Sequence, residues 1–191
     1  MHSGIFATAA VAFMLGASFA MPAQAKVERA ERVSYYDVTG ARLETVIIAL
    51  DTKGPPDDSG ERFHARTDAR IDWNVSVRPV EEGCAIVGVT TRLGVTVIMP
   101  RLVSSDPELQ QEFEGYAVRL MAHETGHVDN ARKTAGEVDA ALAGLAPART
   151  CKEMKEKANS VGHRVFESGA KRDVDYDHVT DHGRLQGAHF P

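Results

Sequence analysis

Hydrophobic residues recur along this chain with two distinct periods. Between Ser105 and Ala131 the positions Leu109, Phe113, Tyr116, Leu120, His123 and His127 fall within an arc of about 80° if each residue turns the chain by roughly 100°. One helical face is therefore apolar and carries two histidines. Pro107 stands in the first turn, where its missing N–H costs nothing, and Ser105 with Glu108 has the spacing of a capping box, so the helix is predicted to start near Ser105. The pattern runs on through Val138, Leu142 and Leu145 to Pro147, as one rod or with a break near Gly136. Upstream the period is two. Ile71, Trp73, Val75 and Val77 alternate with polar residues over 69–78, which predicts a half-buried strand. Residues 84–99, rich in Val, Ile and Thr, predict a longer one, bent at Gly88 or Gly94. A turn at 79–83 makes the two an antiparallel pair, which Pro100 is expected to close.

Shorter signals complete the outline. Val33 to Val38 is β-branched and aromatic and predicts a strand. Leu43, Val46, Ile47 and Leu50 then recur at helical spacing over 41–51, and residues 53–60 form a loop on composition. A further helix is predicted over 150–171, and 173–191 reads as a loop-like segment crowded with metal-competent side chains. The fold class that follows is α+β: a small antiparallel sheet packed on a long helix, with further helices towards the C-terminus.

The N-terminal 25 residues change the picture of where the protein works. An apolar run from Ile5 to Phe19 precedes Ala23-Gln24-Ala25, the small-x-small pattern of a signal-peptidase site, and is shorter than the roughly 20 residues that span a bilayer. Residues 1–25 are expected to be a signal peptide and 26–191 a single domain in the periplasm, with no stable membrane insertion after cleavage. The net charge of -5 is spread in mixed-sign patches such as Lys152 to Lys157, which excludes a nucleic-acid partner. No repeat is present, which excludes a solenoid. The two cysteines, Cys84 and Cys151, are an even pair in an exported chain with spacing unlike C-x-x-C, so they are predicted to form a disulfide.

Candidate chemistry sits on the long helix. His123-Glu124-Thr125-Gly126-His127 is H-E-x-x-H, in which histidines at i and i+4 share a face and can hold one zinc ion. Two imidazoles on an apolar stripe need partners, and a metal satisfies both. Glu124 projects about 100° from His123, placed as a base and not as a ligand. Gly126, costly in mid-helix by roughly 1 kcal/mol relative to alanine, suggests that another backbone segment approaches there. A catalytic zinc needs a third protein ligand and an open position for water. A metzincin would have glycine at 130 and histidine at 133, where this chain has Asn130 and Lys133. Glu137 lies about 15 Å along the helix from His127 and cannot reach the same ion. His182, followed by Gly183, is the first choice for third ligand; Asp177 and His178 compete with it, and His163 is a weaker candidate. Tyr176 is a candidate donor to a developing oxyanion. Asp177 and Asp181 could instead orient ligand histidines.

The HETGH helix after a strand pair, together with YDHVTDHGRLQGAHFP, resembles the bacterial predicted secreted zinc-dependent proteases grouped as domain-of-unknown-function family 922, over most of the chain from about Tyr35 to Pro191. One family marker is an H-E-x-G-H helix, matched by His123, Glu124, Gly126 and His127. The other is a Y-D-x-x-T-x-H-G-x-x-Q-G-A tail, matched by Tyr176, Asp177, Thr180, His182, Gly183, Gln186, Gly187 and Ala188. The resemblance implies zinc and export; it implies no particular substrate. The expected protein is a zincin-like metallopeptidase, with His123, His127 and His182 on zinc, Glu124 as general base and Tyr176 assisting. Its substrate is a peptide or protein, aligned along the 84–99 strand. The rival expectation is a non-catalytic envelope protein in which zinc is structural, closed by a fourth ligand, or absent, and the domain binds a partner.

Overall fold

A computed structural model describes residues 24–57 and 59–190. The expected signal segment therefore lies outside the described residues, apart from positions 24 and 25. The chain runs β1 (Gln24–Thr39), α1 (Leu43–Lys53), β2 (Arg66–Val80), β3 (Gly83–Val103), α2 (Pro107–Ala143) and α3 (Cys151–Thr180), and ends in a 3-10 turn at Arg184–Gln186. This is the α+β class, with three α-helices and one three-stranded sheet among the described residues.

The sheet is mixed and not wholly antiparallel. Its order is β1-β3-β2. β2 and β3 form the expected antiparallel hairpin, with a bulge at Ser76 and Val77, but β1 lies parallel to β3 from Gln24 opposite Gly88 to Thr39 opposite Val103. β1 is much longer than the apolar patch that signals it. Its first half is a charged edge whose side chains pair across the strands, Glu28 with Arg92 at 3.2 Å, and onto the neighbouring helix, Glu31 with Arg132. Charged edges of this kind discourage pairing with other chains. β3 does not stop at Pro100. Beyond Ile98, which faces Arg66, it has left its β2 neighbour behind, so a residue without an N–H is tolerated there.

α2 is the axis of the molecule. Its 37 residues make a rod about 55 Å long. The cap is Asp106 and not Ser105: the Asp106 carboxylate accepts from the Glu108 and Leu109 N–H groups at 2.9 and 3.1 Å, directly before Pro107 at the first helical position. The helix passes Gly136 unbroken. Its apolar stripe, Leu109, Phe113, Tyr116, Leu120 and onward, is buried against the sheet. Around it lies one core cluster with Val38, Leu50, Leu93 and Val97, and a second towards the other end joins Val138 and Leu142 to Ile86, Val89 and Met154. In that second cluster Cys84 and Cys151 form the predicted disulfide, tying the start of β3 to the start of α3.

α3 departs most from expectation. It continues nine residues past Lys171 to Thr180, so Tyr176, Asp177 and His178 are helical. It runs beside α2, and its stripe Phe166, Ala170, Asp173 and Asp177, spaced 4, 3 and 4, returns to the level of the two histidines.

Candidate metal centre

His123 and His127 stand one turn apart on the buried stripe of α2, and α3 brings Asp177 against both. His123 Nε2 and His127 Nε2 are 3.2 Å apart, and Asp177 Oδ1 lies 3.2 Å from the first and 3.0 Å from the second. Each imidazole is held from behind. His123 Nδ1 meets Gln186 Oε1 at 2.9 Å, and His127 Nδ1 meets Asp173 Oδ1 at 3.0 Å. The Asp173 carboxylate can only accept, and the Gln186 amide is oriented by its Nε2 donating to Tyr176 Oη at 3.2 Å. Both Nδ1 atoms therefore carry the proton, and both Nε2 lone pairs point at each other and at a carboxylate oxygen.

Three electron-rich atoms about 3 Å apart need a cation among them. In the metal-free protein a proton can serve. Burial opposes charge on His127, but its hydrogen bonds to Asp173 and Asp177 win and push it up to about 10. Burial likewise works against the Asp177 carboxylate, yet the two histidines hold it well below the usual range. A metal ion fits better. Nitrogen and oxygen ligands at about 2.0–2.1 Å around a tetrahedral ion lie roughly 3.3 Å from one another, close to the spacing seen here. His123, His127 and Asp177 are thus a group that could hold a metal ion.

Glu124 faces the same cavity, about 510 Å³ in volume, without belonging to the donor trio. It is only 4% exposed. Burial pushes its carboxyl up, and a hydrogen bond from the Thr67 hydroxyl to Oε2 at 2.6 Å, with the two histidines, pulls the other way. A buried carboxylate steadied on one oxygen is suited to take and return a proton.

The remaining predicted residues divide. His182 also lines the cavity. It is a mostly exposed side chain whose Nδ1 is 3.7 Å from Asp177 Oδ1, and its ring packs near Phe63. Its backbone is left-handed (φ 49°), as are those of Asp181 and Gly183 on either side. This sharp turn lays Gly183 on His123, where a Cβ would come within 2.7 Å of the ring. Tyr176 is turned to α2 and not to the cavity: its ring stacks on His123 at 5.2 Å, and its hydroxyl donates to the His123 carbonyl at 3.2 Å. Its contacts steady a metal-competent histidine. It also explains Gly126, since a Cβ there would collide with the phenol; the group that approaches is a side chain, not backbone. His178 is exposed on α3, and His163 packs edge-on against Trp73, away from the trio. Asp181 pairs with Arg184 and orients neither histidine.

Thr67, Asp173 and Asn130, which donates to Asp173 at 3.2 Å, are not singled out by pattern, and Gln186 enters only as a position of the family's tail marker, without a role. Asp173 had a usable signal, since it lies four residues before Asp177 and becomes its neighbour once α3 is extended. Thr67 had none, because its strand begins earlier than its alternation suggests.

A family model described as "Bacterial protein of unknown function (DUF922)" matches residues 33–183, which include both histidines, Glu124, Asp173, Asp177 and His182. No curated protein and no solved structure matches the chain.

Proposed function

We propose that this chain, which belongs to the DUF922 family of bacterial proteins, is a zinc-dependent peptidase that works outside the cytoplasm. The observation that carries the proposal is the pairing, in one cavity, of a three-donor group with a separate buried carboxylate, Glu124. A purely structural metal site has no use for the second feature. The donor set of two imidazoles and a carboxylate suits zinc, and His123, His127 and Asp177 would hold it. When bound, zinc supplies Lewis acidity, which acidifies water towards a pKa of about 7 and polarises a carbonyl.

The protein's own residues do the rest. Gln186 and Asp173 fix both imidazoles as Nδ1–H tautomers, so that each presents Nε2 to the cavity. Glu124, anchored by Thr67, takes a proton from the attacking water and returns it to the leaving amine. Substrate alignment moves from the strand first expected. β3 is the central strand and is paired on both sides from Gly88 to Ile98, whereas β2 is an outer strand and carries Thr67 beside Glu124. An extended peptide would lie along β2. The disulfide agrees with action in the periplasm.

The test uses purified protein of residues 26–191, loaded with one zinc and incubated with an unfolded protein substrate. Wild type is expected to cleave it, and Glu124→Gln is expected to keep the zinc and lose turnover by at least about 100-fold. Equal cleavage by the variant removes Glu124 from the chemistry. Tight zinc with no cleavage by wild type returns the protein to a structural or partner-binding role.

A further inference from the structure

A second cavity of about 290 Å³ opens beside the first, between β2, α2 and α3, and shares Arg66, Thr67, His127 and Asp173 with it. That volume lies at the lower end of ligand-site sizes and is ample for one large side chain. It arises from a gap in packing. On the helix-facing side of β2, Thr67, Ile71, Trp73, Val75 and Val77 are half-buried, and Ala69 alone among them is exposed. Across from Ala69 stand Ala131 on α2 and Ala170 on α3, residues too short to fill the space, and Phe166 forms an exposed aromatic wall.

The charged groups at the rim are already paired among themselves. Arg66 bonds Asp68 at 2.7 Å and also reaches the Pro56 carbonyl, while Asp173 accepts from His127 and Asn130. No charge is left over to recognise a charged occupant, so the lining that remains to be covered is alanine, isoleucine and phenylalanine surface. The pocket also lies on a free strand edge, where a peptide added to β2 would direct alternate side chains towards the helices.

From this the geometry points to a specificity subsite: the Ala69, Ala131, Phe166 and Ala170 pocket receives an uncharged apolar side chain, of leucine to phenylalanine size, from the residue beside the bond to be cut. The assignment rests on the peptidase reading. Its consequence is a substrate class, extended peptides with a large apolar residue at one fixed position next to the scissile bond.

The test is digestion of a positional-scanning peptide library by zinc-loaded wild type, Ala69→Leu and Ala170→Leu, with cleavage sites read by mass spectrometry. Both alanines are exposed, so the fillings should fold. Wild type should select Leu, Ile, Met or Phe at one position. The fillings should cut that selection by at least about tenfold while still cleaving peptides with glycine there. Selection that is absent in wild type or unchanged by the fillings overturns the subsite and leaves the peptidase reading standing. If wild type cleaves nothing, the peptidase reading fails, and the pocket is then decided by binding. N-acetyl-leucine amide, and not N-acetyl-glycine amide, should shift the backbone NMR signals of Ala131 and Ala170 in zinc-loaded Glu124→Gln, and adding Ala69→Leu should abolish the shift. No leucine-specific shift overturns the pocket as well.

Discussion

At the three atoms of the candidate metal centre a bound metal ion would have to displace a proton, and His127 decides between the two. In the metal-free protein its imidazole is pushed up to about 10, above the ordinary histidine value. A ligand must lose its proton to bind metal, so zinc affinity should rise with pH up to about 10, with proton release on binding. The stability of the metal-free protein has the opposite slope. A raised histidine stabilises the fold fully below its unfolded pKa of about 6.5 and ceases to do so as pH rises through the folded value, so metal-free protein should lose stability between about pH 6.5 and 10. Zinc titrations followed by calorimetry in two buffers, with chelator-treated melts over the same range, check both slopes. The third donor is a separate question. The spacing makes Asp177 the group that meets both histidines, with His182 further out. Asp177→Asn should therefore weaken zinc by more than the 10- to 100-fold expected of a supporting residue, and His182→Ala should weaken it less. The reverse order in a competition assay would restore His182 as the ligand.

At the scale of elements, what could be read in the sequence was whatever repeated. The apolar stripe of α2 and the alternation of β2 were legible because burial on one face imposes a period. The ends were not. α3 was cut short because Asp173-Val174-Asp175-Tyr176-Asp177 has poor helix formers and β-branched residues. Tertiary contacts hold it instead: Tyr176 against Gly126 and His123, and the two aspartates against His127. The same override moved the second half of the site. His123, Glu124 and His127 were visible as a motif within one turn, whereas Thr67, Asp173 and Gln186 act across helices and strands, where spacing in the chain says nothing. The Gly126 contact gives a test of this packing. Gly126→Ala gains up to about 1 kcal/mol in helix propensity, but its methyl group meets the phenol of Tyr176, and overpacking typically costs 1–3 kcal/mol. The variant should be less stable in urea melts and should hold zinc more weakly, since Tyr176 also stacks on His123. Higher stability with unchanged zinc affinity would mean that the ring moves aside freely.

The whole molecule is arranged so that two distant parts of the chain meet at one point of a long rod. α2 brings the histidines and α3 brings the carboxylates, and the two helices form a hairpin whose closed end is bound to the sheet. There the Cys84 N–H donates to the Ala148 carbonyl at 2.8 Å and the Ala148 N–H donates back to Cys84 O at 2.9 Å, beside the Cys84–Cys151 disulfide. The far end of α3 is held by the site itself, by Tyr176 against Gly126 and by the C-terminal tail, where Arg119 bonds the Gly187 carbonyl at 2.7 Å and Phe190 packs on Phe113 and Tyr116. Closing a loop with a sequence separation of 67 should stabilise the fold by about 4 kcal/mol in the chain-entropy model. Cys84→Ala with Cys151→Ala should lower stability by roughly that amount, and the effect should depend on the metal. Bound zinc would join α2 to α3 at the open end as the disulfide joins α3 to the sheet at the closed end, and by fixing the closed end the bridge helps to hold Asp177 against the two histidines. The double alanine variant should therefore lose more stability in saturating zinc than without it, because it also binds zinc more weakly, measured by urea melts in excess metal and in chelator. Equal losses in both conditions would show that the two ends of the hairpin are energetically independent, and that the metal centre is organised without help from the bridge.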